Sequence, residues 1–538
     1  PTARYLITVF SNSTSPNTLV DFDFGGNSPV AGATVPVVTA SLTALGASAH
    51  DARPGPALAE NVTRDAKHWE MLERNRRDYE RLRGLVGTAP ALRSSVRAAD
   101  LPAIGDMRTL YYTFNDGCSD TTRVRGAAIY VGSRSIIWED SANVMLSSNN
   151  EELLGYYRRL GEIFDRDQYE SVKRSFGDPL LRDEATDGDG RVHMVFTQRL
   201  NGSGAAAYVT SCDQLPRTPG GSTAGSNFGQ FFYGLVPTVT GSNLNSTANA
   251  DGWFNFMART VVHEVKHIAS FSARFVNNAP TFEASWLEEG TARHAEEMWV
   301  RESLHHSTWK GNNVFGTATT NGLFCDFTPA DPACMSADPL RRPSFGMRRH
   351  FNEIRDKLLQ PWNYSPYGNG TGQGASTFYQ TAWSLVRYTI DRYATSDATF
   401  FKSLVNSNTN GVTNLSAVAG VSMDQLIGGW GLALYADDYP GLIAPSADIQ
   451  FPSWNLRDIY ANLNQTPGYT TRFATPYPIL PTQLSYGPFT SRVLGLRGGA
   501  HAYFELSGSV SPSQLLSMRA PGGGTPSPLL RLAIARLQ

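Results

Sequence analysis

Between residues 253 and 268, apolar side chains recur at Trp253, Met257, Val261, Val265 and Ile268. This three-and-four spacing belongs to a helix with one face turned to a core. The same stretch carries HEVKH at 263–267, so His263 and His267 stand about one turn apart, away from the Val261, Val265 and Ile268 stripe. Any fold that buries this helix must bring something to meet two imidazoles. Two ring nitrogens aimed at one point suit a zinc ion, and Glu264 beside them is placed to hold and deprotonate a metal-bound water.

Two histidines leave such a site incomplete, because catalytic zinc usually takes three protein ligands and keeps one position for water. The metzincin continuation needs Gly at 270 and His at 273; the chain has Ser270 and Ala273. A second helix is predicted in SWLEEGTARHAEEMW, which offers Glu288, Glu289, His294, Glu296 and Glu297. Ser285 and Glu288 fit a capping box, which gives Glu288 a structural task. Glu289 points about 100° away around the helix and is the expected third ligand. His294 and Glu296 read as a solvated pair or a supporting layer.

The whole chain sets few further limits. Its 538 residues exceed one compact core and predict three or four folding units. The formal net charge of -2 provides no field for nucleic acid or anionic lipid, and no apolar run is long enough for a transmembrane helix. PTARYLITVF lacks the pattern of a signal peptide, and a presequence is taken as already removed. The four cysteines fit either two disulfides, Cys325 with Cys334 and Cys118 with Cys212, or four buried thiols, and none sits in a CxxC unit. Asp187 and Asp189 in DGDG resemble part of a calcium loop. Ala185 and Phe196 occupy places where that loop needs carboxylates, so calcium is unsupported and a glycine turn is the better reading.

The predicted fold class is α+β, with four segments. Residues 1–57 hold two short strands and an Ala, Pro and Gly-rich linker; residues 58–107 hold an amphipathic helix from about 62 to 85 and a connector. Residues 108–450 form the catalytic domain, with strands at TLYYTF, GAAIYV, SIIWED, VHMVF and FGQFFYGLV and a late helix over 377–393. Residues 451–538 read as a small all-β unit of sandwich type.

HEVKH, followed at Glu289 by the acid of WLEEGTA, resembles the gluzincin pattern, including the WLxEG motif of aminopeptidase N-like enzymes. The DGDGRVHMVFT strand entry and the WLEEGTARHAEE block are more similar to the hyicolysin family of secreted bacterial metallopeptidases, over about 110–400. The resemblance implies a zincin-like core, with a mixed sheet subdomain beside a helical one. It also implies a secreted, periplasmic or cell-surface zinc endopeptidase acting on protein or peptide, with Glu264 as general base and His263, His267 and Glu289 as ligands. The YxxAxxL start of the late helix resembles the helix that carries a transition-state tyrosine in aminopeptidase N-like enzymes, and Tyr379 is the matching position. An edge strand near GAAAYVTS is expected to pair with an extended peptide. Two other readings stay open: a zinc hydrolase of a non-peptide bond, and a surface-binding protein with a vestigial site.

Overall fold

A computed structural model describes residues 2–27, 56–86, 101–237, 250–304, 310–328, 346–368, 376–442, 445–509 and 514–538. Both ends of the chain build one body. The first strands, Thr2–Ser11 (β1) and Leu19–Asn27 (β2), pair with strands from the C-terminal region: Thr482–Ser485 (β9), Phe489–Arg497 (β10), His501–Ser509 (β11), Leu515–Arg519 (β12) and Leu530–Arg536 (β13). One sheet runs β13-β1-β11-β9 and the other β10-β2-β12. Their inner faces meet through Ile7, Val9, Phe22, Phe24, Val493 and Phe504. Alternating apolar residues on each strand drive this, since every second side chain faces the partner sheet. This all-β body takes in residues 2–27, and its first strand from the C-terminal region begins at Thr482. Residues 456–463, assigned above to that unit, form a helix.

A third sheet, of six strands, occupies the middle of the chain. Its members are Met107–Tyr111 (β3), Arg123–Val131 (β4), Ser135–Asp140 (β5), Val192–Phe196 (β6), Ala207–Val209 (β7) and Gln230–Gly234 (β8). Their order is β3-β4-β5-β6-β8-β7, parallel at β5, β6 and β8 and antiparallel elsewhere. β5, β6 and β8 are buried along their whole length, as parallel strands covered on both faces must be. β7 forms the edge, where GAAAYVTS was expected to lie. Cys118 and Cys212 are bonded, as expected, while Cys334 of the second expected pair lies outside the described residues.

The principal helices are Pro56–Leu82 (α1), Glu151–Ile163 (α2), Ala250–Val276 (α3), Ser285–Met298 (α4), Arg348–Leu359 (α5), Ser376–Tyr393 (α6), Met423–Ala436 (α7) and Leu456–Leu463 (α8). The chain is mixed α and β, as predicted. α3 has its apolar stripe buried as the periodicity required, with Trp253, Val261, Val265 and Ile268 at most 2% exposed. Its far side is buried as well, because α4 packs against the histidines. α7 carries the β body: Tyr503 donates to the carbonyl of Gly431 at 2.7 Å, and His501 Nε2 meets that of Ile427 at 2.9 Å.

The turn between α3 and α4 fixes how the two helices face each other. Asn278 ends α3 in the left-handed region (φ 51°), and Ala279 N–H reaches back to the carbonyl of Arg274 at 2.9 Å. Arg274 then bonds Glu283 at 2.9 Å and the carbonyl of Thr281 at 3.0 Å. Glu283 in turn accepts from the amide of Ala284 at 2.8 Å. On the opposite side of α4, Gly290 lets α6 approach closely, since a Cβ there would stand 3.0 Å from that of Ala382.

Arg274→Ala should leave the Glu283 carboxylate buried without its cation and lower stability by about 3 kcal/mol. Denaturant unfolding of this variant checks it; an unchanged midpoint would mean that the turn is held by something else.

Candidate metal centre

Helical spacing places His263 and His267 on one side of α3, and the brace at Arg274 and Glu283 swings the first turn of α4 against them. Glu289 is the residue that arrives. His263 Nε2 lies 3.0 Å from Glu289 Oε2, and His267 Nε2 lies 3.4 Å from Glu289 Oε1. One ligand atom from each of the three residues falls within 4.8 Å of the other two, and all three side chains are buried. The three predicted ligands therefore do come together.

Each imidazole is oriented from behind. His263 Nδ1 meets Glu296 Oε1 at 2.9 Å, and His267 Nδ1 meets Glu288 Oε1 at 2.8 Å. Each of these carboxylates is held by a buried cation. Arg293 Nη1 donates to Glu296 at 2.8 Å, and Lys266 Nζ lies 2.8 Å from Glu288 Oε2. Burial opposes a charge on Glu288, but Lys266 and His267 outweigh it and hold its carboxyl at about 2. Burial also opposes charge on Glu296, and Arg293 with Arg349 and His263 keeps it well below the usual carboxylate range. Two anionic acceptors behind the rings favour the Nδ1–H form of each neutral imidazole, the form whose Nε2 can ligate a cation.

This donor set fits a divalent cation of the zinc class: two neutral imidazole nitrogens and one carboxylate, each ring braced by a further carboxylate. The pocket already favours positive charge. Burial pushes the His263 imidazole down, yet Glu289 and Glu296 reverse this and raise it to about 9.

Glu288 is not a helix cap. The residue at that helix end, Ala284, makes no capping bond, and the Ser285 hydroxyl donates instead to Glu73 on α1 at 2.6 Å. A tertiary partner has taken the serine, and the glutamate orients His267. His294 is not solvated and does not pair with Glu296. It is buried, 2.9 Å from Glu297 and 3.1 Å from the Trp383 carbonyl, within the packing of α4 on α6. Glu296 is the supporting residue the sequence had in part indicated. Lys266 and Arg293 were not singled out; the signal for Lys266 was its place inside HEVKH, one residue before a ligand.

Glu264 lines a small cleft together with His267, Glu288 and Glu289, and burial raises its pKa. Tyr379 sits on α6, one layer out. The Arg293 guanidinium lies 5.0 Å from its ring centroid, which links it to the centre through Glu296.

A second cluster joins Asp187, Asp189 and His193. His193 Nε2 lies 3.0 Å from each carboxylate, and the indole of Trp138 donates to Nδ1 at 2.9 Å. With Nδ1 accepting, the neutral ring carries its proton on Nε2, pointed at the acids. That atom has no lone pair for a metal, so the cluster braces the turn that the DGDG sequence predicted.

Glu288→Gln and Glu296→Gln should each weaken zinc binding by roughly 10–100-fold, the usual effect of losing a partner behind a ligand. Competition titration against a chromophoric chelator checks this, and wild-type affinity in both variants would show that the rings need no such support. No protein-family model matches the chain, and no curated protein matches it, so the chemistry of the centre is read from its own geometry.

Proposed function

We propose that the protein is a secreted zinc-dependent endopeptidase with a zincin-like core. The observation that carries this reading is the convergence of His263, His267 and Glu289, with Glu264 in the cleft beside them. The mixed sheet supports the zincin-like reading, because its antiparallel edge strand β7 contributes Val209 to the same cleft. The Cys118–Cys212 bond suits an oxidising compartment and supports export.

When bound, zinc supplies Lewis acidity, lowering the pKa of water toward about 7 and polarising a carbonyl. The protein's own groups do the rest. Glu264 takes the proton of the attacking water. Its raised pKa suits it to keep that proton briefly and pass it to the departing amine. Glu288 and Glu296 hold the imidazoles so that neither ring turns during the reaction. β7 offers outward backbone groups that align an extended peptide along the cleft. Tyr379 is the candidate donor to the developing oxyanion, supported by its motif and by its place beside Arg293.

Glu264→Gln should retain one equivalent of zinc and lose at least about 100-fold in casein hydrolysis, the scale of a general base. Undiminished turnover by that variant would remove Glu264 from the mechanism. Tyr379→Phe separates the two roles open to the tyrosine. A fall in kcat with KM and zinc affinity unchanged assigns it to the oxyanion, and unchanged kinetics assign it to packing alone.

A further inference from the structure

The candidate centre is buried, and α1 lines the cleft beside it. His263 is 7% exposed, Glu264 and His267 4%, and Glu289 0%, so all four side chains are buried. Met71, Leu72 and Asn75 of α1 line the same cleft as Val209, Phe271 and Phe282. Asn75 Nδ2 donates to the Val209 carbonyl at 2.7 Å. That carbonyl lies on the free edge of β7. Leu235 N–H donates to Ala206, so in the alternation of an antiparallel ladder Val209 faces away from β8. The amide of Asn75 thus occupies a position that a substrate backbone N–H would use.

α1 spans both walls of the cleft. On the sheet side, Arg74 donates to the Asn115 carbonyl at 2.8 Å and Asp78 accepts from Cys118 N–H at 3.4 Å. On the helical side, Glu73 accepts from Ser285, and Tyr79 donates to the Ala279 carbonyl at 3.0 Å. Apolar packing adds to these clasps: Met71, Tyr79 and Leu82 are buried, and the Tyr79 ring centroid lies 4.7 Å from that of Phe275 and 5.4 Å from that of Phe282. Among its described side chains, Glu70, Arg77 and Arg81 are exposed on the outer face of α1.

We propose that α1 is an internal occupant of the substrate cleft. It must withdraw before a polypeptide can pair with β7, and the wall formed by Val209, Phe271 and Phe282 then receives an apolar substrate side chain. The nature of the substrate rests on the peptidase reading; the blockade itself does not.

The test uses the full chain loaded with zinc and a leucyl dipeptide hydroxamate as probe, with binding followed by calorimetry. Leu72→Glu combined with Asn75→Ala should bind the probe about tenfold more tightly than wild type, because a larger fraction of molecules is open, and should hydrolyse casein faster by a similar factor. Zinc affinity should not change. Asn75→Ala alone should shift in the same direction and carries the test if the double variant fails to fold. Equal or weaker probe binding by a folded variant would make α1 a fixed wall and overturn the proposal. An aspartyl probe binding better than the leucyl one would overturn the apolar subsite. Tighter probe binding without casein hydrolysis by any form would keep the blockade and remove the peptidase reading.

Discussion

Two chains of buried charge hold the centre in shape: Lys266 to Glu288 to His267, and Arg293 to Glu296 to His263. Remove the cations and each carboxylate becomes a buried charge without compensation; remove the carboxylates and each ring is free to turn. Such pairs contribute little net stability when buried, so their value here lies in orientation. They make two imidazoles from one helix present the same nitrogen to a carboxylate from the next.

That arrangement needs α3 and α4 fixed to within a fraction of an ångström, and the surrounding fold supplies this. The sheet backs α3 through Trp253, whose indole donates to the Leu235 carbonyl at 3.1 Å. α6 backs α4 through the close contact of Gly290 with Ala382. Behind both, Glu297, Arg301, Arg387 and Asp397 form a fully buried ionic network that fastens the end of α4 to α6. The β body packs on α7, and none of its described residues lines the cleft.

Much of this was legible in the sequence, and the limits have physical causes. The period of apolar residues revealed α3, and the one-turn spacing of its histidines placed both imidazoles on one side of it, because both depend only on local geometry. Glu289 followed from its angle on α4. Glu288 was misread because the capping rule is local, while Ser285 had a partner 212 residues away on α1. The terminal strands were recognised as strands, but not as one body, since β1 pairs with β11 across the length of the chain and no local pattern encodes that pairing. The helix α1 was found by its spacing; its position over the cleft depends on contacts such as Asn75 with Val209 that no periodicity reveals.

The most direct test of the centre is zinc K-edge absorption of the reconstituted protein, with His263→Ala as reference. The account predicts one ion with two imidazole nitrogens and carboxylate oxygen at about 2.0 Å, and loss of one imidazole's scattering in the variant. Sulfur in the shell, or an unchanged spectrum in the variant, would contradict it.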